Sequence, residues 1–238
     1  MKKITFLATI LLAVPVYADL RQQIESKTGW VAYSVPISGS RQVCSWDDAV
    51  NIHGDPYFES ASALWVLYEV RGGRIESLRL SSPECGSLNK SVQWLENVDP
   101  RESARLLRKL IDGDNQSIAK KAVNALALHQ GTVDDLIDLA RHHPYGKVRG
   151  SALFWVSQAA GDRAASVLKD AIDNDREDDV KTKAVFGIAQ LPNDQSIPLL
   201  IDLIKTNRSR AVRRQAAFWL GQKDDPRALA ALEEILKR

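Results

Sequence analysis

Few residues of this 238-residue chain have types and spacings that could do chemistry. Ser-x-x-Lys occurs three times, at Ser87–Lys90, Ser117–Lys120 and Ser166–Lys169. A serine one helical turn from a lysine is the nucleophile arrangement of acyl-enzyme hydrolases, but no Ser-Asp-Asn accompanies it, and three unrelated copies make chance the simpler reading. Neither Gly-x-Ser-x-Gly nor a glycine-rich phosphate loop is present. The four histidines, His53, His129, His142 and His143, fit no metal-ligand spacing such as His-Glu-x-x-His and read as surface-loop residues. The acidic run Asp173–Asp179 suggests calcium, yet it lacks the glycine and spaced terminal Glu of an EF-hand loop and carries Arg176 inside it. Acidic residues before a helix are otherwise expected as partners of its N-terminal dipole. No residue qualifies as catalytic, and no metal or cofactor is expected.

The two cysteines, Cys44 and Cys85, are read through the N-terminus. Lys2 and Lys3 precede an uncharged stretch, Ile4–Val16, and Val16-Tyr17-Ala18 has the small-x-small form of a cleavage site before Asp19. The stretch is too short to span a bilayer, and no other segment is a long apolar run. Residues 1–18 are therefore expected to be a signal peptide and the mature chain to be secreted or periplasmic, with no membrane span. In such a compartment a Cys pair is expected to be oxidised. A Cys44–Cys85 bridge would close a loop of about 40 residues, worth about 4 kcal/mol on chain-entropy grounds. The formal net charge of +2 is that of the two leader lysines, so the mature chain is neutral and no nucleic-acid partner is expected.

From about Asp99 the chain repeats itself. Val148-Arg149-x-x-Ala152-x-Phe154, Val180-Lys181-x-x-Ala184-x-Phe186 and Val212-Arg213-x-x-Ala216-x-Phe218 are spaced by 32 residues, and Gln158/Gln190/Gln222 and Leu168/Leu200/Leu232 continue the register. Ala122, Leu126, Leu136 and Leu139 belong to an earlier, slightly shorter copy. Each copy reads as two amphipathic helices. The second helices are expected to start at caps Thr132, Asp162, Asp194 and Asp225, with Pro198 in a first turn. Two short helices cannot bury their stripes alone, so the copies must stack as an α-solenoid.

This pattern resembles the HEAT-like repeats of the short kind first recognised in phycobilisome lyases, over roughly residues 118–238. The Val-Arg/Lys-x-x-Ala opening carries the resemblance. It implies an architecture more than an activity, since lyase subunits, adaptors and scaffolds share it and DNA-glycosylase relatives use basic concave faces.

Residues 19–98 have a different grammar. Gly72-Gly73 predicts a primed turn joining strands within Leu64–Leu80, pairing Val70 with Ile75, Leu67 with Leu78 and Trp65 with Leu80. Glu69 then faces Glu76, with Arg71 and Arg74 near enough to offset the repulsion. A second hairpin is expected between Trp30–Pro36 and Arg41–Trp46. Asp99-Pro100-Arg101-Glu102 reads as a helix start that separates the parts. The expected fold is α+β: a small disulfide-tied antiparallel β-rich domain (19–98) followed by an α-α superhelix (99–238).

Three ladders run through the repeats. Gln158/Gln190/Gln222 are expected to hydrogen-bond between adjacent copies. Phe154/Phe186/Phe218 form either an exposed aromatic track or the contact between copies, and stacking favours the second. Arg149/Lys181/Arg213, with Arg214, are either helix-face charges paired to loop acids or a basic edge for an anionic partner. The expected function is an exported, non-enzymatic scaffold or adaptor for a protein partner, with the apolar side of the last helix available for a partner or for self-association. An accessory, chaperone-like subunit of an enzyme is the alternative.

Overall fold

The structure is a computed structural model, and it describes residues 19–37, 42–46, 49–53, 63–83 and 91–237. The leader and Cys85 lie outside the described residues, and of Cys44 only the backbone is described. The signal peptide and the Cys44–Cys85 bridge therefore fall outside what the structure describes.

A short helix α1 (Leu20–Glu25) leads into strands β1 (Gly29–Pro36), β2 (Gln42–Trp46), β3 (Ala49–His53), β4 (Ala63–Arg71), β5 (Arg74–Ser81) and β6 (Val92–Trp94). They form one six-stranded sheet in the order β3-β2-β5-β4-β1-β6, antiparallel except for β1 beside β6. The Gly72-Gly73 turn forms as expected, with φ of 55° and 73°, and Val70 pairs with Ile75. Beyond that pair the expected register is wrong by one. A bulge between Glu69 and Val70 sets Tyr68 opposite Leu78, Val66 opposite Leu80 and Trp65 opposite Ser81.

A one-residue shift exchanges faces, because side chains alternate along a strand. Leu64, Val66, Tyr68, Val70, Leu78 and Leu80 consequently share the buried side with Val31, Tyr33 and Val35. Glu69 faces Ser77 rather than Glu76, so the expected opposition of two carboxylates does not arise, and Arg71 pairs with Glu69. On the other side Trp65 meets Trp94 edge-on at 5.2 Å, and Arg79 stacks on Trp30 at 5.1 Å.

The expected β1–β2 hairpin does not form. β1 pairs along its whole length with β4, whereas β2 pairs with β3 and touches β5 at Cys44–Ser81. Eight long-range ladder pairs outweigh a local turn signal.

Helix α2 (Pro100–Ile111) starts as the sequence predicts, with Asp99 accepting from the Arg101 N–H at 2.7 Å and Pro100 in the first turn. The following helices are α3 (Gln116–Leu128), α4 (Val133–His142), α5 (Gly146–Ala159), α6 (Ala164–Asn174), α7 (Asp178–Ala189), α8 (Asn193–Thr206), α9 (Arg210–Gly221) and α10 (Pro226–Leu236). Helices α3, α5, α7 and α9 pack side by side in one layer, each resting on the helix that precedes it in the chain. The second layer is α2, α4, α6, α8 and α10. This is the stacked arrangement that the 32-residue register predicts.

The inner side of the sheet closes the first end of the stack. Leu20 and Ile24 of α1 and Leu106, Leu107, Leu110 and Ile111 of α2 lie in one apolar cluster with the sheet's buried residues and the stripes of the later helices.

Several local expectations need correction. Of the four expected caps Thr132 and Asp225 stand at the N-cap position, and only Asp225 caps with its side chain, accepting from the Arg227 N–H at 2.9 Å. Thr132 turns its hydroxyl to the carbonyls of Leu126 and His129 instead. Asp162 lies in a 3-10 turn, Gly161–Arg163, and Asp194 sits one residue inside α8. Pro198 is the sixth residue of α8, beyond the first turn, so the Asp194 carbonyl loses its helical N–H partner. The glutamine ladder does not join copies: Gln190 and Gln222 end their helices, and Gln158 is exposed.

Gly187 stands where the neighbouring copies carry Trp155 and Trp219, and Leu168 of α6 fills the space. A Cβ there would lie 2.6 Å from Leu168 Cδ2, and Leu168 is fully buried. Gly187→Ala is expected to lower the unfolding free energy by about 1–3 kcal/mol, read as a lower melting temperature, because the packed Leu168 has nowhere to retreat.

Candidate functional site

The chemistry-bearing residues divide between a buried polar chain at the sheet–helix junction and the basic and aromatic ladders of the stack.

The buried chain joins residues far apart in sequence. Tyr33 on β1 and Tyr68 on β4 point inward side by side, and their hydroxyls are 2.8 Å apart. The Tyr33 hydroxyl is 2.7 Å from Ser103 Oγ on α2, and Ser103 Oγ is 2.8 Å from Nε2 of His129 at the end of α3. His129 Nδ1 lies 2.8 Å from the Ala125 carbonyl, which can only accept, so Nδ1 carries the proton. The direction then follows for the whole chain. Nε2 accepts from Ser103, Ser103 accepts from Tyr33, and Tyr33 accepts from Tyr68.

Burial pushes the Tyr33 phenol up to about 12 and the Tyr68 phenol well above its ordinary value, while it lowers the His129 imidazole. Burial thus favours the neutral form of both tyrosines and of His129. A serine hydroxyl on a histidine nitrogen has the geometry of a nucleophile and its base, yet Ser103 is completely buried and a backbone carbonyl holds the far nitrogen. No substrate can reach it. The arrangement is a polar tie between the sheet and the first helices.

His143 corrects the surface reading of the histidines as His129 does. It is buried, accepts from the Tyr145 N–H through Nδ1, and donates from Nε2 to the Ile111 carbonyl at 3.2 Å. His142 is exposed and pairs with Asp138. The connections between copies thus reach back to the preceding unit. Lys223 does the same, donating to the Ala189 carbonyl at 2.7 Å.

The Ser-x-x-Lys sites at Ser117 and Ser166 are exposed turns of α3 and α6. Lys27-Thr28-Gly29 has the residue types of a hydrolase Lys-Thr-Gly element, but it links α1 to β1 and its Thr28 carbonyl accepts from Gln93. Among the described residues no group of three His, Cys, Asp or Glu side chains could hold a metal ion.

The basic ladder is not uniform. Arg149, 3% exposed, donates from Nε and Nη2 to both Asp175 oxygens at 2.7 and 2.9 Å, from Nη2 to Glu177 at 3.0 Å, and from Nη1 to the His143 and Pro144 carbonyls. The acidic run is the counter-charge of this arginine. Burial raises the Asp175 carboxyl, but the Arg149 hydrogen bonds and the Glu177 N–H outweigh it and hold it below the ordinary carboxylate value.

One step along, Lys181 replaces the arginine, and Asn207 and Ser209 stand where Asp175 and Glu177 stood. A groove of about 510 Å³ opens there, lined by Lys169, Asp173, Lys181, Asp202, Asn207 and Arg208 among others, against about 170 Å³ at the preceding step. A further step along, Arg213 repeats the inner half of the Arg149 arrangement alone. Arg214 is exposed.

The aromatic ladder lies between copies. The Phe154 and Phe186 rings stack at 6.1 Å, and Phe186 meets Trp219 at 4.8 Å. Phe218 is 54% exposed, and on α10 Leu229 is 62% exposed. Phe154 and Phe186 thus make the inter-copy contact that stacking favours, while Phe218 leaves an open aromatic face.

Two helices per unit, two layers, and contacts repeated from each unit to the next define an α-solenoid. Its C-terminal part is HEAT-like: the family described as HEAT repeats matches residues 165–238. Comparison with curated proteins finds no match. HEAT repeats commonly mediate protein–protein contacts, and among the described residues no helix is long and apolar enough to cross a membrane.

Proposed function

We propose that the protein is an exported, non-enzymatic scaffold that binds a protein partner on the open side of its last helical pair, with the sheet closing the other side. The observation that carries this reading is the contrast within the phenylalanine ladder. Phe154 and Phe186 are covered by the unit that follows, whereas Phe218 and Leu229 stay exposed on neighbouring helices. Exposed aromatic and leucine side chains on a rigid surface are anchors for association.

A photo-crosslinking residue at position 218 or 229, in protein expressed in its own cell envelope, tests the binding surface. A discrete crosslinked product from these positions and none from Lys120, an exposed residue of α3, is expected. Equal products from all three, or none, would count against the scaffold.

Export has its own measurement. The mature chain is expected to start at Asp19, and its intact mass to be lower by two hydrogens than that of the reduced form. A retained Met1, or two free thiols in protein taken from the envelope, would refute export or the bridge respectively.

A further inference from the structure

Arg149 and Arg213 occupy the same place in units two steps apart, and their inner anchors are the same. Nη1 of Arg149 donates to the His143 and Pro144 carbonyls at 2.8 and 3.0 Å, and Nη1 of Arg213 donates to the Asn207 and Arg208 carbonyls at 2.8 and 2.9 Å. Two fixed acceptors on one nitrogen orient a planar guanidinium, so the outer edge of Nε and Nη2 is held ready in both units.

On Arg149 that edge carries Asp175 and Glu177, two residues apart in the turn that opens α7. Phe186 follows on α7 and stacks on Phe154, five residues along from Arg149. Around Arg213 no carboxylate of the described residues comes within ion-pair distance, and the same is true of its neighbours Arg208, Arg210 and Arg214. Phe218, five residues along, is the exposed counterpart of Phe154. The chain thus displays one filled and one open version of a single receptor.

We infer that the outer face of α9 takes an acidic helical segment of another protein. That segment binds as α7 binds α5, with two carboxylates spaced Asp-x-Glu on the outer edge of Arg213 and an aromatic side chain nine residues later on Phe218. A planar fork meeting a carboxylate bidentately gives direction as well as affinity, and four arginines that form no ion pair among the described residues draw an acidic rather than a basic segment. A second copy of this chain cannot supply the equivalent turn, because its own Asp175 and Glu177 are tied to its own Arg149 and the Asp175 side chain is only 6% exposed.

This inference rests on the scaffold reading and adds the chemistry of the partner. The probe is a fluorescein-labelled synthetic peptide with the sequence of residues 173–190, which carries Asp175, Glu177 and Phe186, titrated by anisotropy against the full-length protein. Saturable binding is expected, weakened about tenfold or more by Arg213→Gln in the protein or by Asp175→Asn with Glu177→Gln in the peptide, and weakened further by salt. Arg213→Lys keeps the charge without the fork and should restore only part of the affinity.

Phe218→Ser, at a position 54% exposed, should also weaken binding, with an unchanged melting temperature as the control. The inference is overturned if the peptide does not bind, if an Arg213→Gln protein with unchanged melting temperature binds it equally, or if Phe218→Ser has no effect. Should this happen while crosslinking at position 218 persists, the acidic chemistry falls and the scaffold stands. Should the crosslinks vanish too, both fall.

Discussion

Arg149→Met is expected to lower the unfolding free energy by about 3–5 kcal/mol, the largest loss of any single substitution in the stack. The guanidinium and the Asp175 carboxylate are 4% and 6% exposed, so removing the arginine strands a negative charge away from water. It also releases the His143 and Pro144 carbonyls at the connection into α5. Denaturant titration reads the loss as a lower midpoint at unchanged slope. The double variant Arg149→Met with Asp175→Asn should recover much of it, because the stranded charge goes while the side-chain oxygen that accepts from the Glu177 N–H remains.

The pH dependence has a definite sign. The folded Asp175 carboxyl lies below its ordinary value, so its contribution is fully present above about pH 4 and is lost as pH falls through the folded value. Wild type and variant should therefore converge in acid. A gap that stays constant down to low pH would show that the arginine acts through its backbone bonds alone.

Ser103→Ala is expected to have the second-largest effect. It leaves the Tyr33 hydroxyl without its acceptor and His129 Nε2 without its donor, and each buried group without a partner costs about 1–3 kcal/mol. Tyr68→Phe removes only the outermost donor of the chain and should cost about 1 kcal/mol, so the two variants separate the tie from its tail.

His129 adds a second, milder acid sensitivity. Its folded pKa lies below the ordinary histidine value, so the unfolded chain takes up the proton first and stability declines as pH drops below about 6.5. His129→Gln should flatten that part of the profile. Because the tie joins the sheet to α2 and α3, hydrogen exchange in Ser103→Ala should rise first in β1, β4 and α2, with α7 and α9 unchanged.

The repeats were legible because three aligned copies repeat the same residues at the same interval, and only stacking buries so regular a stripe. The Gly72-Gly73 turn was legible as well, since few other residues tolerate two consecutive positive φ values. What failed were features with no local signature. The bulge at Glu69/Val70 leaves the alternation of residue types unchanged, so counting back from the turn put Trp65 and Leu67 on the wrong side. The β1–β4 pairing competes with a plausible nearby loop, and nothing within β1 names its partner. His129 was misread because its partners, Ser103 and through it Tyr33, lie far away in sequence. A small polar residue on the apolar stripe of α2 was the one available signal. The two readings of the basic ladder were both visible in the sequence: Arg149 is paired to the loop acids Asp175 and Glu177, whereas Arg213 keeps only its bonds to backbone carbonyls.

The sheet and the hydrogen-bonded chain behind it make the molecule directional. Adding or deleting a 32-residue unit between α2 and α3 would sever Ser103 from His129, whereas the same change between α8 and α9 would cut apolar contacts between units and the Lys223 bonds to Ala189 and Asn193, none of them part of a buried polar chain. Length is therefore free to drift at one extremity and is locked at the other, so kindred chains should differ in how many units they carry beyond α5 while keeping Tyr33, Tyr68, Ser103 and His129 in step.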